Sequence, residues 1–185
     1  MAQQLSKKRT HEIGIYSKIL ITRSVPLHIR NIGNDLKNLL ERRLASEIEG
    51  KCIVEGYIKP NSIVVLTYSS GIIRGNKIIF EIVFECLVSA PVEGMHITCV
   101  AKNITKAGIR AEIDDASGIS PLVIFIARDH HQITPYFSSI KENSEIKVRV
   151  IGQRFELNDK YISIIAELIE PSREKFMQKK KLVIV

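Results

Sequence analysis
The sequence predicts a mainly β protein, α+β in class, with a helix-bearing antiparallel sheet followed by a small five-stranded barrel. Three observations carry this expectation. Apolar residues alternate at period two over most of the chain and follow steps of three and four over only one stretch, about 33–48. A proline–glycine bracket, Ser89-Ala90-Pro91 followed by Val92-Glu93-Gly94, separates two stretches of different pattern. Isoleucine occurs 31 times against 13 leucines, with aromatics at 6%, a balance that suits strands, although an A/T-rich genome would produce it too.

The elements follow in order. Residues Ile13 to Thr22 read as a strand with Ile15, Ile19 and Ile21 on one parity, and Pro26 is expected to break it. Ile32, Leu36, Leu39, Leu40, Leu44 and Ile48 then form one helical face, with Asn34 or Asn31 as the cap and Gly50 as the stop. Three strand runs come next: Lys51 to Ile58, Ser62 to Tyr68, and Lys77 to Val88. Arg74-Gly75-Asn76-Lys77 makes the turn into the third. In that third run Phe80, Ile82, Phe84, Cys86 and Val88 share one parity, and Glu81 and Glu85 share the other. Five strands follow, at about 95–104, 107–113, 121–127, 145–154 and 160–169. A long connection, Asp129 to Glu142, joins the third and fourth, and Asn158-Asp159 forms the tip between the last two. Five short strands with the one long link in that place match an OB barrel.

Composition removes several function classes. The longest stretch without a charged residue, Pro60 to Ile73, is fourteen residues with several hydroxyls, too short and polar for a membrane-spanning helix. The opening residues, MAQQLSKKRTHEIG, lack the apolar run of a secretion signal. Cys52, Cys86 and Cys99 are odd in number and widely spaced, against both a disulfide framework and a zinc site. The +7 formal charge sits at the ends: residues 171–185 carry +4, residues 1–14 carry +2, and the body carries only +1. Such tails are either solvated or in contact with anions.

Two enzyme-like constellations fail on their surroundings. Asp129-His130-His131 spells a signature of two-metal phosphoesterases, whose chemistry needs further aspartates early in the chain. Residues 1–60 hold only Asp35. Asp114-Asp115 beside Ala116-Ser117-Gly118 reads as a turn. There is no phosphate loop ending in Lys-Ser or Lys-Thr, and no Gly-x-Ser-x-Gly. The expectation is a chain with no catalytic site, metal or cofactor of its own.

The arrangement resembles the large stalk subunit of archaeal and eukaryotic multisubunit RNA polymerases. Several segments carry the resemblance. Glu47-Ile48-Glu49-Gly50-Lys51-Cys52 and Gly56-Tyr57-Ile58 are similar to that family's helix-to-strand passage. Ile82-Val83-Phe84-Glu85-Cys86-Leu87-Val88 and Pro91-Val92-Glu93-Gly94-Met95 resemble its last tip strand and interdomain junction. Val100, Ile104 and Lys106-Ala107-Gly108-Ile109 resemble the first hairpin of its barrel, and Phe125-Ile126-Ala127-Arg128-Asp129-His130 the third strand and exit. Ile146 to Gly152 and Asn158-Asp159-Lys160-Tyr161-Ile162-Ser163-Ile164-Ile165 resemble the final hairpin. The similarity runs over about residues 13–170.

That resemblance implies a basic tail at 1–12, a tip domain at 13–91, an OB domain of the ribosomal S-one type at 92–170, and a basic then apolar tail at 171–185. It implies a non-catalytic subunit that docks near the clamp and RNA exit, supports initiation and contacts nascent RNA. Its partners would be the largest subunit, the small sixth subunit and a helical fourth-subunit partner. The setting would be the nucleus for a cellular chain, or virion and host cytoplasm for a large DNA virus. The basic ends, Lys179-Lys180-Lys181 and the isoleucine bias lean toward the virus. Core docking is expected around Tyr57, Ile58 and Lys59 and around Ile72, Ile73 and Arg74, at sheet ends where loops meet partners.

RNA contact is expected from Lys102, Lys106, Arg110 and Arg128, with His130 beside them. Barrels of this class usually carry an aromatic before the glycine of the first hairpin, where this chain has Ala107. Phe125 and Tyr161 are expected in strands and in the core. Residues 95–170 carry a net charge of −1, so RNA contact should be weak. The alternative is a free-standing OB-fold RNA-binding factor in translation or RNA decay, which would need no first domain. The last four residues, Leu182-Val183-Ile184-Val185, are expected to add as a strand to a sheet edge, the chain's own or a partner's, with a frayed end as the alternative.

Overall fold
The computed structural model describes residues 14–33, 35–113, 118–131 and 135–170. Both tails, Asn34 and the Asp114-Asp115 turn lie outside the described residues. The chain divides into two compact units, one holding residues up to Ala90 together with Phe155–Ile162, the other Pro91–Arg154 and the chain from Ser163 onward.

The first unit is a six-stranded antiparallel sheet, with one helix contributing to its core. Its strands are β1 (Ser17–His28), β2 (Cys52–Ile53), β3 (Gly56–Ile58), β4 (Val64–Tyr68), β5 (Ile72–Arg74) and β6 (Lys77–Ser89). β6 organises the sheet. One edge pairs with β1 over its full length, from Ser17↔Val88 to His28↔Lys77. The other edge takes β5 at Lys77–Ile79, β4 at Ile82–Glu85 and β3 at Val88–Ser89. As its alternation requires, Phe80, Ile82, Phe84, Cys86 and Val88 are buried.

Helix α1 (Leu36–Ile48) lays Leu40, Leu44 and Ile48 into the same core as Ile21, Val25 and Leu27 of β1. Ile32, Leu36 and Leu39 pack at its margin. Truncating Leu44 to alanine here should cost about 2–5 kcal/mol. The helix stops as the sequence indicates: Gly50 adopts φ +68, and the Glu49 amide donates to the Ala45 carbonyl at 3.0 Å. The cap differs. Asp35 occupies it, and its carboxylate accepts from the Asn38 amide at 2.6 Å instead of capping the backbone. Two carboxylates, Glu41 on the helix and Glu49 just past its end, also cover β4 and its approach. Glu49 accepts from the Ser62 and Ile63 amides at 3.1 and 3.2 Å, and Glu41 from the Val65 amide at 3.3 Å.

Three strand expectations need correction. Pro26 does not end β1, because β1 lies at the sheet's edge, where a missing N–H faces no ladder. The run Lys51 to Ile58 is a tight hairpin of two short strands, β2 and β3. Ile72, Ile73 and Arg74, expected in a loop at a sheet end, form the short strand β5, and Gly75-Asn76 makes the turn into β6. Gly71 makes β5 possible. Its φ is +83, and a Cβ there would sit 2.5 Å from the Ile78 side chain and 2.8 Å from the Phe80 ring. The segment Phe155–Ile162 belongs to this unit through two backbone bonds: Asn158 N–H to the Cys52 carbonyl at 2.9 Å, and Cys52 N–H to the Asp159 carbonyl at 2.7 Å.

The second unit is a closed five-stranded barrel of β7 (His96–Ile104), β8 (Gly108–Glu112), β9 (Leu122–Ala127), β10 (Glu145–Arg154) and β11 (Ile162–Leu168). Around the barrel the order is β7-β8-β9-β11-β10, and β10 closes on β7 from Glu145↔Val100 to Arg149↔His96. This is an OB fold, with every strand within two residues of its expected limits. Ile97, Cys99, Ile109, Ala111, Leu122, Ile124, Ile126, Ile146, Val148 and Ile164 fill it. The connection after β9 holds a 3-10 turn (Arg128–His131) and a five-residue helix, α2 (Pro135–Ser139), which the sequence pattern did not show. Among the described residues no helix is long and apolar enough to cross a membrane.

All three cysteines are free and buried. Burial pushes the Cys99 thiol up to about 12 and, with help from nearby carboxylates, Cys52 and Cys86 to about 11. The folded chain therefore keeps these protons above pH 9, where the unfolded chain releases them. Stability should fall as pH rises from about 9 toward 12. Urea melts at pH 7, 9 and 10.5 should show that loss, and Cys99→Ala should flatten part of it. At pH 8 a thiol reagent should titrate no cysteine in the folded chain and all three in denaturant.

Candidate functional site
The barrel's outer surface over β7, β8 and β9 is built by alternation. In β9, Leu122, Ile124 and Ile126 point inward, so Phe125 points out and is 39% exposed. In β8, Ile109 and Ala111 point inward and Arg110 points out. The ladder sets Arg110 opposite Phe125 on one side and opposite Asn103 on the other. Phe125 also lies against Gly108: a Cβ there would meet its ring at 3.0 Å and the Ile126 carbonyl at 2.3 Å. Phe125 is therefore a surface ring and not the core residue expected. Its parity, opposite to its apolar neighbours, was the available signal. Tyr161 corrects in the same direction, since it precedes β11 and is 47% exposed.

The expected RNA residues divide into two groups. Lys102 is exposed at a bulge in β7, where the register shifts between Ala101 and Asn103. Arg110 is exposed and pairs with Glu112 of its own strand at 2.9 Å. Lys106 is exposed in the turn between β7 and β8, and Arg128 secures that turn. The Arg128 amide donates to the Ala107 carbonyl at 3.0 Å, and its guanidinium donates to the Thr105 carbonyl at 3.3 Å. Thr105 closes the turn from inside, its hydroxyl donating to the Gly108 carbonyl at 3.0 Å. The Arg128 guanidinium also lies 5.2 Å from the Phe137 ring centroid. Arg128 is thus held by its own barrel while keeping an exposed edge. His130 is exposed beside it.

His131, the last letter of the Asp-His-His triplet, is a structural residue. Its Nε2 accepts the Leu168 amide at 2.8 Å, which leaves Nδ1 to donate to the Ala127 carbonyl at 2.9 Å. Its ring stacks on Phe137 at 5.4 Å. Among the described residues no three His, Cys, Asp or Glu side chains gather as a metal site.

In the first unit the two expected docking groups part. Tyr57 and Ile58 are 1% and 0% exposed, so these side chains offer no surface. They lie in β3, which is paired on both sides by β2 and β6. Lys59 is half-buried, with its ammonium 4.9 Å from the Tyr16 ring centroid. Ile72 and Ile73 are 64% and 69% exposed, and Arg74 is exposed with them. Beside this hairpin is a depression of about 540 Å³, lined by Ser24, Ser69, Gly71, Ile72, Arg74 and Glu81. Two adjacent exposed isoleucines on a short edge strand are unusual for a surface that meets only water.

No family model matches the chain. Individual proteins do. A DNA-directed RNA polymerase subunit of Acanthamoeba polyphaga mimivirus is 30% identical over 156 residues, spanning 75% of this chain and 74% of that protein. The chain belongs to the stalk-subunit family of DNA-directed RNA polymerases. The RNA polymerase II subunit RPB7 of Glycine max is 23% identical over 161 residues, covering 78% of this chain and 88% of its own. RNA polymerase II subunit 7 of Arabidopsis thaliana is 24% identical over 158 residues, covering 77% and 86%. In this stalk-family chain the helix-bearing sheet is the tip domain and the closed barrel is the OB domain.

The role of His131 can be tested directly. His131→Leu removes both ring bonds and leaves the Leu168 amide and Ala127 carbonyl unpaired, at about 1–3 kcal/mol each. Urea denaturation should show that loss, while His130→Ala should leave stability within about 0.5 kcal/mol.

Proposed function
We propose that this chain is a non-catalytic stalk subunit of a DNA-directed RNA polymerase. It docks on the core enzyme through its first unit and offers its barrel to the emerging transcript. One observation carries the reading: the polymerase subunits match 75% or more of this chain, far beyond the barrel alone. A free-standing OB-fold factor would have no need of the helix-bearing sheet. The expected partners are the largest subunit, the small sixth subunit and a helical fourth-subunit partner, near the clamp and RNA exit. Support for initiation follows from that position. The relatives come from a plant nuclear enzyme and a virus, so the setting is the nucleus, or the virion and host cytoplasm.

The docking element is the β5 hairpin, with Ile72, Ile73 and Arg74 and the depression beside them. Its apolar side chains are exposed, and the edge strand that carries them is short. Ile72→Asp with Ile73→Asp should release the subunit from the polymerase without changing the melting of the barrel. The readout is co-purification with the two largest subunits. Stoichiometric recovery of the double variant would remove β5 from the interface.

RNA contact is assigned to Lys102, Lys106, Arg110, Arg128 and His130, with Phe125 as an exposed ring among them. The nearly neutral barrel makes this contact weak and salt-dependent. Log affinity should fall with log salt at a slope of about −0.7 per phosphate neutralised. Replacing Lys102, Lys106 and Arg110 together by alanine should remove most binding of an oligouridylate probe. Phe125→Ala should weaken what remains, by about 1–3 kcal/mol if a base stacks there. Binding that persists unchanged in the triple variant at high salt would place the contact elsewhere.

A further inference from the structure
Strand register divides the β5 hairpin between the two faces of its sheet. Phe80, Ile82 and Phe84 of β6 point into the core that α1 helps to form, so Ile79 and Glu81 point to the other face. Cross-strand partners share a face. Ile72 opposite Ile79, Arg74 opposite Lys77 and Ser24 opposite Glu81 therefore all lie on the side away from the helix, while Ile73, opposite Ile78, lies on the helix side. Ser24, Ile72, Arg74, Ile79 and Glu81 all line the depression of about 540 Å³, which is thus a feature of the open face.

The charges on this face are separated. Glu81 is exposed and stands opposite Ser24, with Thr22 and Pro26 as the neighbouring outward residues of β1, so that strand brings no cation to it. On its other side the Glu81 amide donates to the Ser69 hydroxyl at 3.0 Å, and the loop there supplies only Ser69, Ser70 and Gly71. The next carboxylate on the same face, Glu85, is already paired with Lys18 at 2.7 Å. Among the described residues neither Glu81 nor Arg74 has an ion pair. Arg74 and Lys77 face each other across the ladder at the turn end. Four residues of β6 separate Lys77 from Glu81, about 13 Å, and the Ile72–Ile79 pair fills the interval. The open face thus carries a row with two cations at one end, two isoleucines in the middle and a carboxylate at the other end.

We propose that this row receives an extended segment of the core polymerase that carries a basic, an apolar and an acidic residue at alternate positions. Alternate residues of an extended chain fall on one face, and three of them span about 13 Å, the length of the row. The basic side chain reaches Glu81 beside the hydroxyls of Ser24 and Ser69. The apolar one covers Ile72 and Ile79, which removes their exposure to water. The acidic one meets Arg74 and Lys77. Reversing the segment on the same row sets like charges together, so the row also fixes the direction in which the segment lies. Ile73 takes no part in this contact. The inference rests on docking through the first unit and specifies the chemistry which that docking recognises.

The test uses the full chain and polymerase core prepared without this subunit. Thr22→p-benzoylphenylalanine places a photo-crosslinker on the open face, outside the lining of the depression. Mass spectrometry of the irradiated complex should find the cross-link in a core segment with basic, apolar and acidic residues at alternate positions. In the chain without the crosslinker, Glu81→Lys should weaken binding to the same core by roughly tenfold or more, and changing the basic residue of that segment to glutamate should restore it. Glu81 is exposed, so the melting temperature of Glu81→Lys should match that of the native chain. No cross-link, or one to a segment without that alternation, would overturn the proposal. Full affinity of Glu81→Lys beside a weakened Ile72→Asp would overturn the charged row and leave docking through β5 in place. Full affinity of both variants would overturn the two together.

Discussion
The first unit depends on one strand. β6 pairs with β1 along one edge and with β5, β4 and β3 in succession along the other. Its inward side chains, Phe80 to Val88 at every second position, form the floor on which α1 sets Leu40, Leu44 and Ile48. A slip of one residue would turn that floor outward and bury Glu81 and Glu85 instead. The register of β6 therefore fixes the position of the β5 hairpin at one end and of the buried β3 at the other. It also separates the two docking groups: residues paired on both sides are buried, and residues on the last short edge strand are exposed.

The barrel solves a different problem. A closed sheet has no free edge, so its surface chemistry is confined to outward side chains, turns and bulges. Arg110 and Phe125 face out from paired positions of adjacent strands, and Lys106 rides on a turn that Arg128 and Thr105 hold in place. His131 ties the connection after β9 to the ends of β9 and β11, with one backbone bond to each. The histidine that resembled a metal ligand is thus part of the barrel's framework.

Much of this was legible in the sequence because alternation and helical spacing are direct consequences of burial. The parity of Phe80 to Val88, the stripe from Ile32 to Ile48 and the five barrel strands all follow from which residues must avoid water. The misreadings have equally physical causes. Pro26 breaks a ladder only where its N–H is needed, and the sequence does not reveal that β1 is an edge strand. Three residues of β5 are too short for a periodic signal, and their conformation depends on Gly71 fitting against Ile78 and Phe80. Tyr57 and Ile58 flank a loop in sequence but are enclosed by strands distant from it. Phe125 shows the reverse error: an apolar identity suggested burial, while its parity pointed outward.

Hydrogen–deuterium exchange on the free chain and on the chain assembled into polymerase tests the central claim most directly. Docking through the first unit should slow exchange at residues 72–76 on assembly, while the amides of Leu40, Leu44 and Ile82 stay slow in both states. Unchanged exchange across 72–76, with new protection confined to the barrel, would contradict it.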